Sequence, residues 1–292
     1  MSFGFFEKLI DEMREEALKN NFVLTPKAIA EALLKFPKAE MDAHLVIGGQ
    51  NGVGKSYLML AIAKELLRLK GKDSNLVQAY HDETLNFIFA SMPKQIFANL
   101  ITQTEERIFL IDELKPFFDY KLSQTKIQTH LYNAVEVARF KRHIFIGCAR
   151  DYTKLDLNYR NAKAQMLIYL FDRVVSFNKR KNAYETRFTY GSVFASNISM
   201  EFEDKFMFSM IRGYDMKTTR VLCEKLPTWV GHILVYPPIT YGLTKGDLLL
   251  YKDMKEYASR QYMQNTEPAP KRAKREISDV EELQDELKKV RL

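Results

Sequence analysis

Apolar residues recur along this chain with two spacings, one typical of helices and one typical of buried strands. Residues 3–19 carry apolar side chains at helical spacing, and residues 26–37 follow a capping residue, Thr25, with Pro26 at the first helical position. Further helices are predicted at 57–69, 82–101 with a break at Pro93, 121–140 and within 203–226. Short apolar runs predict strands at 44–47, 76–80, 108–111, 143–150, 165–171 and 184–194, with one more within 227–238. Strands that alternate with helices in this way favour an α/β fold with a mostly parallel sheet.

The strand at 44–47 and the helix at 57–69 are joined by a glycine-rich turn with the sequence GQNGVGKS. This spacing matches GxxxxGK[ST], in the strand–loop–helix context that the motif requires. Glycines allow successive backbone N–H groups to face one anion, and the helix start adds its positive end to the same point. We therefore expect Lys55 to bridge the β- and γ-phosphates of ATP and Ser56 to supply a hydroxyl to Mg²⁺. The residues expected to line the nucleotide are Gly49, Gln50, Asn51, Gly52, Val53, Gly54, Lys55, Ser56 and Tyr57.

An acidic motif follows the strand at 108–111, where Asp112 and Glu113 come directly after four apolar residues. Ligands of parallel sheets bind at the carboxyl ends of the strands, so we expect these carboxylates and the glycine-rich loop to share one crevice. Asp112 is expected to hold the magnesium ion, directly or through water, and Glu113 to polarise the attacking water. The strand at 143–150 ends beside the same crevice. Its candidates for sensing the γ-phosphate are Cys148 and Arg150, of which we favour Arg150.

Length and composition limit the number of domains, the kind of partner and the cellular compartment. A chain of 292 residues exceeds the usual size of one domain, and a net charge of +7 favours a polyanionic partner. The two cysteines, Cys148 and Cys223, are far apart, which excludes a disulfide framework and indicates a reducing compartment. No apolar run is long enough to span a membrane, and the first residues lack the basic start of a signal peptide. A cytoplasmic protein is therefore expected, in the host cytoplasm if it is viral.

The pattern predicts four segments along the chain. They are an N-terminal helical segment at 1–40, a P-loop ATPase core at 41–195, a helical and mixed extension at 196–263, and a basic linker with a terminal amphipathic helix at 264–292. Within the core we expect a P-loop NTPase fold, with a central, mostly parallel sheet sandwiched by helices.

The order GQNGVGKS, RIFLIDE, HIFIGCAR and YRNAK resembles the FtsK/HerA superfamily of DNA-pumping ATPases, above all its compact viral genome-packaging members and the related Zot-like proteins. The resemblance covers roughly residues 40–180. In that family an Arg-Asn pair precedes the next strand, and its arginine reaches the nucleotide of the neighbouring subunit. The resemblance thus implies a homo-oligomeric ring in which Arg160, followed by Asn161, acts in trans. The family usually ends its sensing strand with glutamine, where this chain has Ala149 and Arg150.

These features favour an ATP-hydrolysing oligomeric motor that translocates or packages double-stranded DNA. One alternative is an AAA+-type ATPase that loads helicases or initiates replication, with the helices of 200–226 as its lid. Another is a nucleotide-gated DNA-binding adaptor, whose terminal helices bind a partner such as a portal or replication protein. A small-molecule kinase is disfavoured, because Glu113 suits activation of water and no lid of clustered arginines is evident.

The expectation of a DNA partner also rests on basic residues interleaved with aromatic ones, a composition that suits a nucleic-acid backbone. These residues are Lys179, Arg180, Lys181, Tyr184, Arg187, Phe188, Tyr190, Arg212, Tyr214, Lys217 and Arg220.

Overall fold

The computed structural model of the chain describes residues 3–72, 74–103, 105–119, 121, 125–178, 183–195, 206 and 216–265. The predicted terminal helix and all of the predicted linker beyond residue 265 lie outside these ranges. Across the part of the chain that is described, no helix combines the length and the apolar character needed to cross a membrane.

The described strands and helices alternate along most of the chain. The strands are β1 (Val23–Leu24), β2 (Ala43–Gly49), β3 (Leu85–Ile88), β4 (Ile108–Ile111), β5 (Ile144–Ala149), β6 (Met166–Asn178), β7 (Ala183–Ala195) and β8 (Trp229–Val235). The helices are α1 (Phe3–Lys19), α2 (Pro26–Lys38), α3 (Lys55–Leu69), α4 (Leu76–His81), α5 (Lys94–Gln103), α6 (Lys126–Ala138), α7 (Met216–Cys223) and α8 (Lys245–Asn265).

Within the described residues these strands form one sheet in the order β1-β8-β7-β6-β2-β5-β4-β3. Neighbouring strands are parallel except at β6–β7 and β7–β8, which are antiparallel. The strand β2 therefore lies between β6 and β5 in a parallel block made of β6, β2, β5, β4 and β3. This arrangement places the loop after β2 and the acidic residues after β4 at the same edge of the sheet.

Alternating residues of β2 divide the interior between the two faces of the sheet. Leu45 and Ile47 belong to a cluster shared with α1, α2, α3, α4 and α8, whereas Val46 belongs to a cluster shared with α5, α6 and α7. All seven residues of β2 are buried, as expected for a strand that is covered on both faces. The predicted fold class, a mostly parallel sheet sandwiched by helices, is confirmed.

The two N-terminal helices form as predicted. Thr25 Oγ1 accepts the N–H of Ala28 at 3.2 Å, and Pro26 begins α2. Between these helices β1 pairs with β8, so strands from the predicted N-terminal segment and from the predicted extension join the sheet of the core. The segment boundaries at 41, 196 and 264 stay proposals.

Two elements predicted between α3 and β4 are wrong. Residues 76–80, predicted as a strand, form helix α4, because Asn75 Oδ1 accepts the N–H groups of the next turn and caps a helix. The predicted helix at 82–101 contains strand β3 in its first half. Leu85 and Phe87 pack in one core cluster and Ile88 in the other, which is the two-residue period of a strand.

Candidate active site

The loop between β2 and α3 is shaped by glycines with positive φ, at Gly49 (134°), Gly52 (79°) and Gly54 (98°). A Cβ on Gly49 would lie 2.5 Å from the carbonyl oxygen of Leu170, so only glycine fits there. Gly54 is the N-cap of α3, and it makes no side-chain hydrogen bond to the first turn. The first N–H groups of a helix have no partner within the helix, which makes this loop a binding site for an anion such as a phosphate.

Lys55 folds back over this loop. Its Nζ donates to the carbonyl oxygens of Gly49 at 2.6 Å and Gln50 at 2.8 Å, which holds the ammonium group above the loop. Partial burial lowers the pKa of Lys55, and the nearby acids Glu113 and Asp112 oppose that effect. The side chain is thus a positioned cation at the place where the motif predicts contact with phosphates.

Ser56 and Asp112 meet across the crevice. Ser56 Oγ donates to Asp112 Oδ1 at 3.2 Å, which joins the first turn of α3 to the residue that follows β4. A hydroxyl and a carboxylate are both hard oxygen ligands, which suit Mg²⁺, and Mg²⁺ is usually bound by one or two protein groups together with phosphates and water. The two side chains therefore fit the magnesium ion that the sequence predicts.

Glu113 lies beside them, partly buried. Burial raises the pKa of Glu113, whereas the charge of Lys55 and the backbone N–H groups of Lys115 and Arg150 act in the opposite direction. A carboxylate with a raised pKa is a better proton acceptor than an ordinary one, and this matches the role of a general base for water.

Arg150 and Arg160, the two arginine candidates, lie at opposite edges of the sheet. Arg150 follows β5 at the edge that holds the loop, is exposed, and lowers the pKa of Lys55 through its charge. Arg160 belongs to a π-helical turn, Tyr159–Lys163, that precedes β6 at the other edge, where Lys163 Nζ is 3.8 Å from Asp42 Oδ2.

Arg160 is engaged within its own chain. Its Nε donates to the carbonyl oxygen of Leu155 at 3.0 Å, and its guanidinium carbon is 5.6 Å from the centre of the Tyr152 ring. Cys148, the weaker candidate on β5, is buried and lies 3.9 Å from the sulfur of Met59. Burial raises the pKa of the Cys148 thiol, so it stays neutral. Of the candidates considered, only Arg150 offers a charge to the crevice from the same chain.

Two residues of α8 complete the surroundings of Asp112, and the sequence analysis missed both. Tyr251 OH donates to Asp112 Oδ1, and Lys255 Nζ is 2.8 Å from Asp112 Oδ2. Thr244 and Asp247 exchange hydrogen bonds at the start of α8, in a capping box. That spacing is readable in the sequence and signals a helix, but no local pattern links Tyr251 to a partner 139 positions away.

A cavity of about 160 Å³ adjoins the loop on the side away from Asp112, toward β7 and β8. Arg173 Nη2 lies so close to Gly52 that an added Cβ there would be 2.2 Å from it. The cavity is lined by Gly52, Val53, Gly54, Tyr57, Arg173, Thr186, Thr189, Val235, Tyr236, Pro237 and Pro238. A mixed aromatic, apolar and polar lining of this kind is typical of a small-molecule subsite.

The fold and this site define a class of protein. A parallel sheet carries a glycine-rich loop with Lys55 and Ser56, and the acids Asp112 and Glu113 follow the strand β4. The chain is a P-loop ATPase, an enzyme that hydrolyses ATP.

Comparison with known families agrees with this class. A sequence model of the ATPase family associated with various cellular activities (AAA) matches residues 45–171. No curated protein matches the chain.

Several solved structures are similar to parts of the chain. The genome packaging NTPase B204 from Sulfolobus turreted icosahedral virus 2, in complex with ATP-gammaS, is 12% identical with a TM-score of 0.34, over 53% of this chain and 92% of that chain. The N-terminal domain of zonular occludens toxin from Neisseria meningitidis is 10% identical with a TM-score of 0.37, over 62% of this chain and 98% of that chain. A DnaB-like replicative helicase is 11% identical with a TM-score of 0.32, over 52% and 53% of the two chains.

Proposed function

We propose that this ATPase is a ring-forming motor that moves double-stranded DNA. The observation that carries the proposal is the course of the chain after β6. There the sheet continues through the antiparallel strands β7 and β8, whereas an AAA+ ATPase normally adds a helical lid after the same core. The motifs resemble those of the DNA-pumping ATPases, and this extension of the sheet supports that resemblance.

ATP binds with its triphosphate on the loop at 49–56 and its base in the adjoining cavity. Tyr57 and Tyr236 offer aromatic surfaces in that cavity, and Arg173 offers a cation beside Gly52. The cavity and the site of Glu113 lie on opposite sides of the loop, which matches a ligand whose base and γ-phosphate are at opposite ends.

Hydrolysis uses the four residues that converge on the crevice. Lys55 would hold the β- and γ-phosphates, and Ser56 with Asp112 would hold Mg²⁺, whose positive charge would neutralise charge on the phosphates. Glu113 accepts a hydrogen bond from the attacking water and orients it toward the γ-phosphate, and its raised pKa favours this role.

A neighbouring subunit supplies Arg160 in this proposal. Arg160 lies at the sheet edge opposite to its own loop, so it can act on ATP only in another copy of the chain. Its bonds to Leu155 and Tyr152 then have to break, or the turn has to move as a unit, when subunits assemble. Arg150 serves its own site.

Double-stranded DNA is held mainly through its phosphates, because the positive charge of the chain offers many contacts that do not depend on base sequence. Of the basic residues predicted to contribute, Arg187 is exposed on β7. Lys179, Arg180, Lys181, Arg212 and Tyr214 lie outside the described residues.

A second candidate function is an AAA+-type helicase loader or initiator, and the match of the AAA family model to residues 45–171 favours it. The region predicted as a lid contains α7, which packs in the core cluster through Cys223. Residues 200–205 and 207–215 of the predicted lid lie outside the described residues.

Translocation distinguishes these functions. A triplex-forming strand is bound to one end of a linear DNA duplex, and its release is followed after ATP is added. A motor releases the strand with ATP, and the Glu113→Gln variant, which keeps the fold and the charge of Lys55, does not. A parent protein that binds DNA and hydrolyses ATP but never releases the strand contradicts the motor and favours a loader or a nucleotide-gated adaptor.

A further inference from the structure

Both carboxylate oxygens of Asp112 are engaged by other side chains of this chain. Oδ1 accepts from Ser56 Oγ and from Tyr251 OH, and Oδ2 is 2.8 Å from Lys255 Nζ. Ser56 belongs to the expected magnesium site, but Tyr251 and Lys255 come from α8, far away in sequence. The helix therefore places a hydroxyl and a cation on the carboxylate that is expected to hold a metal ion.

The start of α8 is fixed on the core by a buried carboxylate. Asp247 accepts hydrogen bonds from the backbone N–H groups of Leu76 at 3.1 Å and Thr244 at 2.8 Å, and it pairs with Lys64 at 3.1 Å. Lys64 lies on α3, the helix that begins at the loop, and Leu76 begins α4. These contacts hold the first turn of α8 against both helices.

Contact with the core decreases along α8, where beyond Tyr251 only the partly buried side chains of Met254 and Ala258 in the described residues still pack against the core cluster. Tyr251 is 9% exposed, and its ring packs 6.0 Å from that of Phe87 and 6.1 Å from that of Phe89. Lys255, one turn further on, has a side chain that is 52% exposed, and Tyr257 is exposed as well. Beyond the first two turns, the ion pair of Lys255 with Asp112 is thus the main polar contact between the described part of α8 and the site.

We propose that Lys255 and Mg²⁺ compete for Asp112, so that binding of the magnesium nucleotide releases the distal half of α8 while its first turns stay in place. The proposal rests on the function proposed above, because it assumes that ATP and Mg²⁺ bind at this site. With the ammonium group 2.8 Å from Oδ2, a divalent cation bound to either oxygen of the same carboxylate would lie within a few ångströms of it, and the two positive charges would repel each other. Tyr251 keeps its ring contacts whether or not the magnesium nucleotide is bound. The position of the distal half of α8 thereby depends on the nucleotide state, and so does the point from which the chain continues after α8.

Magnesium dependence of nucleotide binding tests the competition directly. A fluorescent ATP analogue that is not hydrolysed is titrated with Mg²⁺, and the half-saturating Mg²⁺ concentration is compared among variants. Lys255→Gln is expected to lower that concentration by about two- to fivefold, the range that a partly exposed ion pair supports. Lys255→Arg, which keeps the ion pair, is expected to retain the parent value.

Lys252→Gln is the matched control, since Lys252 lies on the same helix, carries the same charge and pairs with Glu256 rather than with Asp112. Equal shifts in Lys252→Gln and Lys255→Gln show a general effect of charge and overturn the proposal. An unchanged value in Lys255→Gln overturns it too. If the analogue does not bind the parent protein at all, the proposed function itself fails, and this result is distinct from the other two.

Hydrogen exchange gives a second readout that does not depend on activity. With Mg²⁺ and the analogue bound, amides of residues 253–260 are expected to exchange faster, and those of residues 247–250 are expected to keep their rates. Slower or unchanged exchange at 253–260 contradicts release of the distal half. In Lys255→Gln the amides at 253–260 are expected to exchange fast with or without the nucleotide.

Discussion

Ser56 and Asp112 are 56 positions apart in sequence, yet Ser56 Oγ lies 3.2 Å from Asp112 Oδ1. The contact depends on the topology, because β2 and β4 flank β5 in a parallel sheet and end at the same edge. Glu113 follows Asp112 directly and is therefore held beside the loop that carries Lys55. In the proposed mechanism Lys55, Ser56 and Asp112 bind the nucleotide and its metal ion, and Glu113 activates the water.

Glu113→Gln separates these two roles. The amide is almost the same size as the carboxylate but is a much weaker proton acceptor, so ATP binding is expected to persist while hydrolysis falls by about 10²-fold or more. Nucleotide affinity and single-turnover hydrolysis measure the two effects. Lys55→Ala is the complementary variant and is expected to lose affinity itself. Hydrolysis at the parent rate in Glu113→Gln would show that another residue orients the water.

The pH dependence of hydrolysis follows from the raised pKa of Glu113. Glu113 acts as a base only when ionised, so activity is lost as the pH falls through its pKa. Because burial raises that pKa, the loss is expected to begin at a higher pH than for an ordinary glutamate. Single-turnover rates measured across the acid range, with saturating ATP, test this. An acid limb at or below the usual glutamate pKa of about 4.3 would contradict it.

A variant of Arg160 distinguishes a ring motor, in which subunits share active sites, from an ATPase that hydrolyses ATP as a single subunit. Arg160→Ala is expected to bind ATP and to assemble but to hydrolyse slowly, because an arginine supplied in trans contributes on the order of 10³-fold or more. Mixing it with Glu113→Gln subunits is expected to restore part of the activity, since some sites then combine an intact Glu113 with a neighbour's intact Arg160. Mixed rings that form but remain inactive would show that Arg160 does not act in trans.

Stability below neutral pH is expected to depend on His143. This side chain is buried, accepts the N–H of Arg107 on Nδ1 at 3.2 Å, and contacts the carbonyl oxygen of Ile101 through Nε2 at 2.9 Å. A ring nitrogen that accepts an N–H carries no proton, so the ring is neutral, and burial lowers its pKa to about 4. The unfolded chain takes up a proton near pH 6.5 and the folded chain does not, so stability falls between pH 6.5 and 4.

His143→Gln is expected to flatten the dependence of the unfolding free energy on pH in that range. The slope is expected to fall by the equivalent of up to one proton taken up on unfolding. Urea unfolding at a series of pH values measures this slope. His130→Gln, on α6, is the matched control for replacing a histidine by glutamine, and the two slopes are compared. An unchanged slope in His143→Gln would mean that other groups cause the acid sensitivity.

The sequence predicted the parts of the site that local motifs determine. The spacing of Gly49, Lys55 and Ser56 fixes a loop between a strand and a helix, and the acids after the apolar run at 108–111 had to face it in a parallel sheet. The errors at 76–80 and 82–101 were avoidable. Asn75 is a capping residue, which favours a helix at 76–80, and the alternation of Leu85, Phe87 and Phe89 is a strand pattern.

The contacts of α8 could not be predicted in the same way. Its capping box from Thr244 to Asp247 is local, but the pairing of Lys255 with Asp112 depends on how α8 packs across α3 and α4. Likewise, the position of Arg160 at the edge opposite to the loop emerges only from the pairing of β6 with β2. Sequence patterns indicate the periodicity and the caps of local elements. The pairing of Lys255 with Asp112 and the position of Arg160 depend instead on tertiary packing.

The rate of ATP hydrolysis with and without double-stranded DNA tests the central claim most directly. At low salt, parent turnover is expected to rise as DNA is added, to lose the increase as salt weakens the phosphate contacts, and to remain near zero in Glu113→Gln. Turnover that is the same with and without DNA across that salt range, in a protein shown to be assembled, would contradict a DNA-moving motor.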